Sequence, residues 1–172
     1  MVLVLGNSFC LVEPKDRRKC LEELVSILWS KTGTLIIDER NFADLIDKEV
    51  EYTSNPLTFP SARRPDPVYR GKSVRGCPEE INPEKIRWRI FAAEPPIRSP
   101  EELKSRWIGK KAFELYPFKK GELYEELGRH FYSIQVFADF EPLPEGSFSA
   151  EQSMKPQPLF YTYVASCPRD IL

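Results

Sequence analysis

Sixteen prolines, gathered rather than scattered, set the first limit on how this chain can fold. Their share is about twice the ordinary one. Six of them, at positions 56, 60, 65, 67, 78 and 83, fall within residues 53–84, a stretch with no clear hydrophobic period. Proline fixes φ and removes a donor, so 53–84 reads as a long stiffened loop. A second loop, rich in Pro, Ser and Glu, covers 141–158. Connections of such length are uncommon in a compact domain and are either functional or disordered.

The segments between the loops carry readable periods. Val2–Leu5 and Ser8–Val12 are β-rich runs around Gly6-Asn7, and their two apolar faces predict a central strand. Leu21, Leu24, Val25 and Leu28 follow at i, i+3, i+4, i+7, predicting a helix capped by Asp16 and stopped by Gly33. Arg17, Arg18 and Lys19 sit in its first turn, where the helix dipole disfavours them; Glu13, Glu22 and Glu23 are the local neutralising acids. Thr34–Ile37 reads as a strand. Asp38 or Asn41 then caps a helix bearing Phe42, Leu45 and Ile46.

Residues 86–140 read as a strand–helix–helix–strand unit with a core of its own. Ile86, Trp88 and Ile90 alternate with Arg87, Arg89 and Phe91. Ser99-Pro100-Glu101-Glu102 is a helix start with an N-cap serine, proline at N1 and a capping-box glutamate. The helix is expected to carry Lys104, Lys110 and Lys111 on its exposed side, with Trp107 toward the core or, beside Arg106 and Lys110, as a stacking platform for a base. Leu123, Tyr124, Leu127 and Phe131 mark the next helix. Tyr132, Ile134, Val136, Ala138 and Phe140 alternate as a half-buried strand, and Leu159–Ala165 closes the chain as another. The expected fold is a single α+β domain over 1–172. It has a mostly antiparallel sheet of five to six strands, about four helices and the two long Pro-rich loops.

The net charge of −1 hides an asymmetry. Residues 60–111 hold 13 basic against 7 acidic side chains, net +6, between flanks of −3 and −4. A basic third of this kind attracts an anionic partner or complements its own fold. Arg63, Arg64, Tyr69, Arg70, Lys72 and Arg75 gather in the first loop. Arg87, Arg89, Lys104, Arg106, Lys110 and Lys111 follow them. Arginines interleaved with an aromatic suit phosphate and base contacts.

Signs of catalysis are sparse. His130 is the single histidine, at the end of a predicted helix. The cysteines at 10, 20, 77 and 167 form no CxxC pair, so neither a zinc site nor a disulfide framework is expected. No Walker A loop or GxGxxG run exists. The expectation is therefore a non-catalytic intracellular, cytoplasmic binding protein without metal or cofactor and without a membrane span. It would contact RNA or DNA through the twelve residues named above. The alternatives are a protein-interaction module, as inhibitor, adaptor or complex subunit docking through its Pro-rich loops, and an enzyme of unstated class.

Overall fold

A computed structural model describes residues 1–28, 32–47, 68–69, 72–92, 99–144 and 158–169, with side chains at 44, 68–69, 72–75, 100 and 109–111 left aside. The fold is α+β, with two mostly antiparallel sheets. The chain forms two compact units, Met1–Phe42 with Tyr116–Leu172, and Ala43–Leu115. The expected 86–140 unit is therefore divided between them.

The first unit carries β1 (Val2–Val4), a 3-10 turn (Ser8–Leu11), α1 (Pro14–Ser26) and β2 (Thr34–Arg40). The second unit follows with α2 (Ala43–Asp47), β3 (Val68–Tyr69), β4 (Lys72–Ile81), β5 (Ile86–Ala92), α3 (Pro100–Ser105) and β6 (Trp107–Leu115). The chain then returns to the first unit with α4 (Glu122–His130), β7 (Phe131–Ala138), β8 (Glu141–Pro142) and β9 (Phe160–Pro168).

In the first unit the sheet order is β1-β2-β9-β7-β8. β1 and β2 run parallel, with Val4 opposite Ile37; every other pairing is antiparallel. Side chains alternate strictly along β2, so Leu35, Ile37 and Glu39 are buried while Ile36, Asp38 and Arg40 lie on the other face. Leu35 and Ile37 join Tyr163 and Ala165 of β9 and Val136 of β7 in one core. Leu21 and Val25 of α1 and Leu123 and Leu127 of α4 complete it. These are the positions that the helical spacing of both segments marks as apolar.

β1 is an edge strand rather than a central one. Gly6 at φ 74° and Asn7 at φ 58° turn the chain out of the sheet after three paired residues. Leu3 and Leu5 are left about half exposed. α1 begins at Pro14 with Glu13 in the cap position, so Asp16 lies inside the first turn instead of capping it.

The second unit is a four-stranded antiparallel sheet, β3-β4-β5-β6. Cys77, Phe91 and Leu103 form its small core, with Trp107 packed against it. Two expectations change here. The later half of the 53–84 loop is strand: Lys72–Ile81 pairs with β3 and β5, and Pro78 stands beside a register shift in the ladder. Residues 53–67 lie outside the described residues. The helix expected to reach Lys111 ends at Ser105, since residues 107–115 pair with β5 instead. Its start is as expected: Ser99 accepts the Glu102 N–H at 3.2 Å.

Gly76 faces the Trp88 indole so closely that an added Cβ would lie 2.2 Å from Nε1. Gly76→Ala is expected to destabilise the second unit by about 1–3 kcal/mol through overpacking, read as a lower urea midpoint. An unchanged midpoint would refute that contact.

Candidate functional site

In sheets with parallel strands, ligands gather beyond the carboxyl ends of those strands. Here that end is built by Leu5–Ser8 after β1 and Asp38–Asn41 at the close of β2. The Asp38 carboxylate accepts two successive backbone N–H groups, Gly6 at 2.9 Å and Asn7 at 2.6 Å. Asn7 Oδ1 in turn accepts the Arg40 N–H at 3.0 Å. Asp38 is thus a strand residue that pins the β1 turn, and it caps no helix. Asparagine tolerates the left-handed conformation that this turn requires. Asn41 Nδ2 donates to the Pro158 carbonyl at 3.0 Å, tying β2 to the start of β9. Arg40 lies on the same side of β2 as Asp38, with its guanidinium 5.9 Å from the Phe42 ring. The rim so formed carries a fixed turn, an amide and a guanidinium.

Beneath the rim, on the helix side, is a buried ionisable group. Glu39 is only 5% exposed. Tyr163 OH donates to its Oε1 at 2.8 Å, whereas Oε2 has no partner among the described residues. Burial pushes the Glu39 carboxyl up to about 7, with Tyr163 and Arg17 opposing and Glu122 reinforcing the shift. Burial likewise raises the phenols of Tyr161 and Tyr163 and takes the Cys10 thiol to about 12, so Cys10 is an inert core group.

Arg17 is buried at the start of α1. Its Nε donates to the Val12 carbonyl at 3.3 Å, Nη1 to Glu122 Oε1 at 3.2 Å, and Nη2 to the Tyr116 carbonyl. Its guanidinium lies 3.7 Å over the Phe118 ring. Glu122, 105 residues away, is therefore its counter-ion rather than the local acids. Arg18 and Lys19 do pair locally, with Glu22 and Glu23.

The expected basic surface has a different character. Arg89 is held bidentately by Glu79 at 3.1 and 3.2 Å and lies 4.4 Å over Trp107. Arg87 meets Glu79 and Glu80 at 3.4 and 3.5 Å. The neighbouring strand supplies these acids in register, so both arginines are neutralised within the sheet. Arg106 pairs with Glu102, and Lys104 is exposed on α3. Arg63, Arg64 and Arg70 lie outside the described residues. Of Tyr69, Lys72, Arg75, Lys110 and Lys111 the structure describes the backbone alone, on β3, β4 and β6. His130 closes α4, and its carbonyl accepts the Arg169 N–H at 2.7 Å.

Among the described residues no group of three or more His, Cys, Asp or Glu side chains could hold a metal ion. Among them, too, no helix is long and apolar enough to cross a membrane.

Two predictions follow from the buried charges. Arg17→Leu should cost about 3 kcal/mol in chemical denaturation, because it strands Glu122 and two carbonyls at once; a loss below about 1 kcal/mol would show the cluster to be dispensable. For Glu39, the fold holds a proton between pH 4.5 and about 7 that the unfolded chain releases. Its stabilising effect is full below 4.5 and is lost as pH rises through 7. Glu39→Gln should therefore gain on the parent by up to about 3 kcal/mol across that window. A stability difference that stays constant with pH would overturn this.

No family model matches the chain. It is similar to the glycine/sarcosine/dimethylglycine N-methyltransferase of Actinopolyspora halophila, 28% identical over 168 residues. The match covers 95% of this chain but 23% of that protein, so the chain spans about a quarter of the relative's length. Similarity to an enzyme overturns the expectation of a non-catalytic RNA- or DNA-binding protein, and supports the enzyme alternative instead.

Proposed function

We propose that this chain is the acceptor-side part of an N-methyltransferase acting on small amino acids. The observation that carries the reading is the similarity along nearly the whole chain to an enzyme that methylates glycine, sarcosine and dimethylglycine. Because the chain corresponds to about a quarter of that enzyme's length, the reading leaves the methyl donor to the remainder.

The rim geometry supports the acceptor role. The three acceptors named for the relative share one carboxylate beside one amine. A guanidinium binds a carboxylate through two parallel N–H bonds. Arg40 stands at the carboxyl end of β2 for that purpose, and Asn7, whose Oδ1 is engaged by Arg40 N–H, offers its Nδ2 donors beside it. Asp38 fixes the Asn7 backbone, and Asn7 in turn holds the Arg40 backbone.

Calorimetric titration with dimethylglycine tests the reading. Saturable binding is expected for the parent chain. Arg40→Ala should weaken it by roughly 10- to 100-fold, the worth of a charge-assisted bond. Dimethylamine, which lacks the carboxylate, should not bind. If glycine, sarcosine and dimethylglycine all fail to bind, the reading falls.

A further inference from the structure

The two edges of the first unit's sheet are built differently. At one edge β8 is two residues long and consists of Glu141 and Pro142, both exposed. A short edge bearing a charge and a proline resists pairing with another strand. At the other edge stands β1, within the run Met1-Val2-Leu3-Val4-Leu5. That run holds no charge, proline or glycine, and among the described residues nothing pairs with its outer side. Both of its faces are apolar. Val2 and Val4 pack on the helix-side core, where Val4 lies opposite Ile37 and Ile37 opposite Tyr163. On the other face Leu3 lies opposite Ile36, and Ile36 opposite Val164. Two apolar rows therefore cross the sheet and stop at an open edge, where Met1, Leu3 and Leu5 are 80%, 53% and 48% exposed.

We infer that the outer edge of β1 docks a further strand, parallel to it, from the part of the methyltransferase that carries the methyl donor. Strands apolar on both faces belong inside parallel sheets, and β1 already runs parallel to β2. It thus has the composition of a central strand in the position of an edge. The choice of occupant rests on the proposed function: this chain matches about a quarter of the related enzyme's length, and a methyl acceptor works only beside a donor. The rim fixes the direction. A strand parallel to β1 ends on the same side of the sheet as Asn7, so the residues that follow it stand next to Asn7 and Arg40. An antiparallel strand would carry its carboxyl end to the far side. A second copy of this chain, related by a two-fold axis, would pair β1 with β1 antiparallel and set the two rims at opposite ends. The two rows also define the partner's chemistry. Its strand is apolar on both faces, so that each row gains one side chain.

The probes for the test are short overlapping synthetic peptides that span the part of the related N-methyltransferase this chain does not match. Each is titrated into the full chain while hydrogen exchange at the Val2–Val4 amides is followed by NMR. An apolar peptide is expected to slow that exchange along a saturable curve. A spin label on its carboxyl end should broaden the Asn7 amide, and one on its amino end should not. Leu3→Lys should weaken docking roughly tenfold or more, since a lysine blocks an edge. Ile27→Lys, which removes a still more exposed apolar side chain after α1, should leave docking unchanged. If no peptide protects Val2–Val4 while dimethylglycine still binds, the acceptor reading stands and the docking edge is refuted. Broadening of Asn7 from the amino end overturns the parallel arrangement. Protection that rises with the chain's own concentration, without peptide, gives the edge to a second copy and overturns the inference as well. A peptide that docks in parallel on a chain blind to dimethylglycine keeps the edge and removes the acceptor reading alone.

Discussion

The buried guanidinium of Arg17 is the point on which the first unit depends. It joins the end of the β1 turn at Val12, the returning chain at Tyr116 and the first turn of α4 at Glu122. Those segments are separated by the whole of Ala43–Leu115 in sequence. A cation in a protein interior is tolerated only when paired and hydrogen-bonded, so the three partners must arrive together. α1 and α4 are thereby set side by side, and their apolar faces share one core over β2, β9 and β7. The cation carries positive charge where the dipole of α1 opposes it. Glu122, beside Arg17 in space, offsets that cost.

The rim and the helix side of the sheet divide the chemistry between them. Alternation along β2 sends Asp38 and Arg40 one way and Glu39 the other. Asp38 and Arg40 build the rim with Asn7. Glu39 joins Tyr163 beneath it, where desolvation, the largest cause, and the Glu122 charge raise its carboxyl to about 7. Three adjacent residues thus take up a backbone clamp, a buried acid and a candidate anchor through a two-residue period and nothing else.

Much of the local structure was legible in the sequence. The apolar stripe Leu21, Leu24, Val25, Leu28 identifies α1, and Ser99-Pro100-Glu102 identifies the start of α3, because spacing and capping are local chemistry. The strand β7 is legible too, although its alternation puts exposed Tyr132 and Phe140 inside, and helical spacing puts buried Phe131 on the preceding helix. The period was right, but Asp139 and Phe140 at positive φ turn the chain away before Phe140 can pack. The partners of Arg87 and Arg89 are not legible in the sequence, for a different reason. The sequence lists charges in order, and Glu79 lies close to Arg89 only once β4 folds back on β5.

What the sequence determined by itself was the class of fold, the helix faces, the alternating strands and the places where proline stiffens the chain. All of these follow from interactions within a few residues. The tertiary structure alone decided that residues 107–115 are strand, that β1 is an edge, that Arg17 belongs to Glu122 and that Glu39 loses its water. Each of those outcomes depends on a partner far away in the chain. A side chain's charge state and pairing are set by what folding brings beside it, and local propensity carries no record of that neighbour.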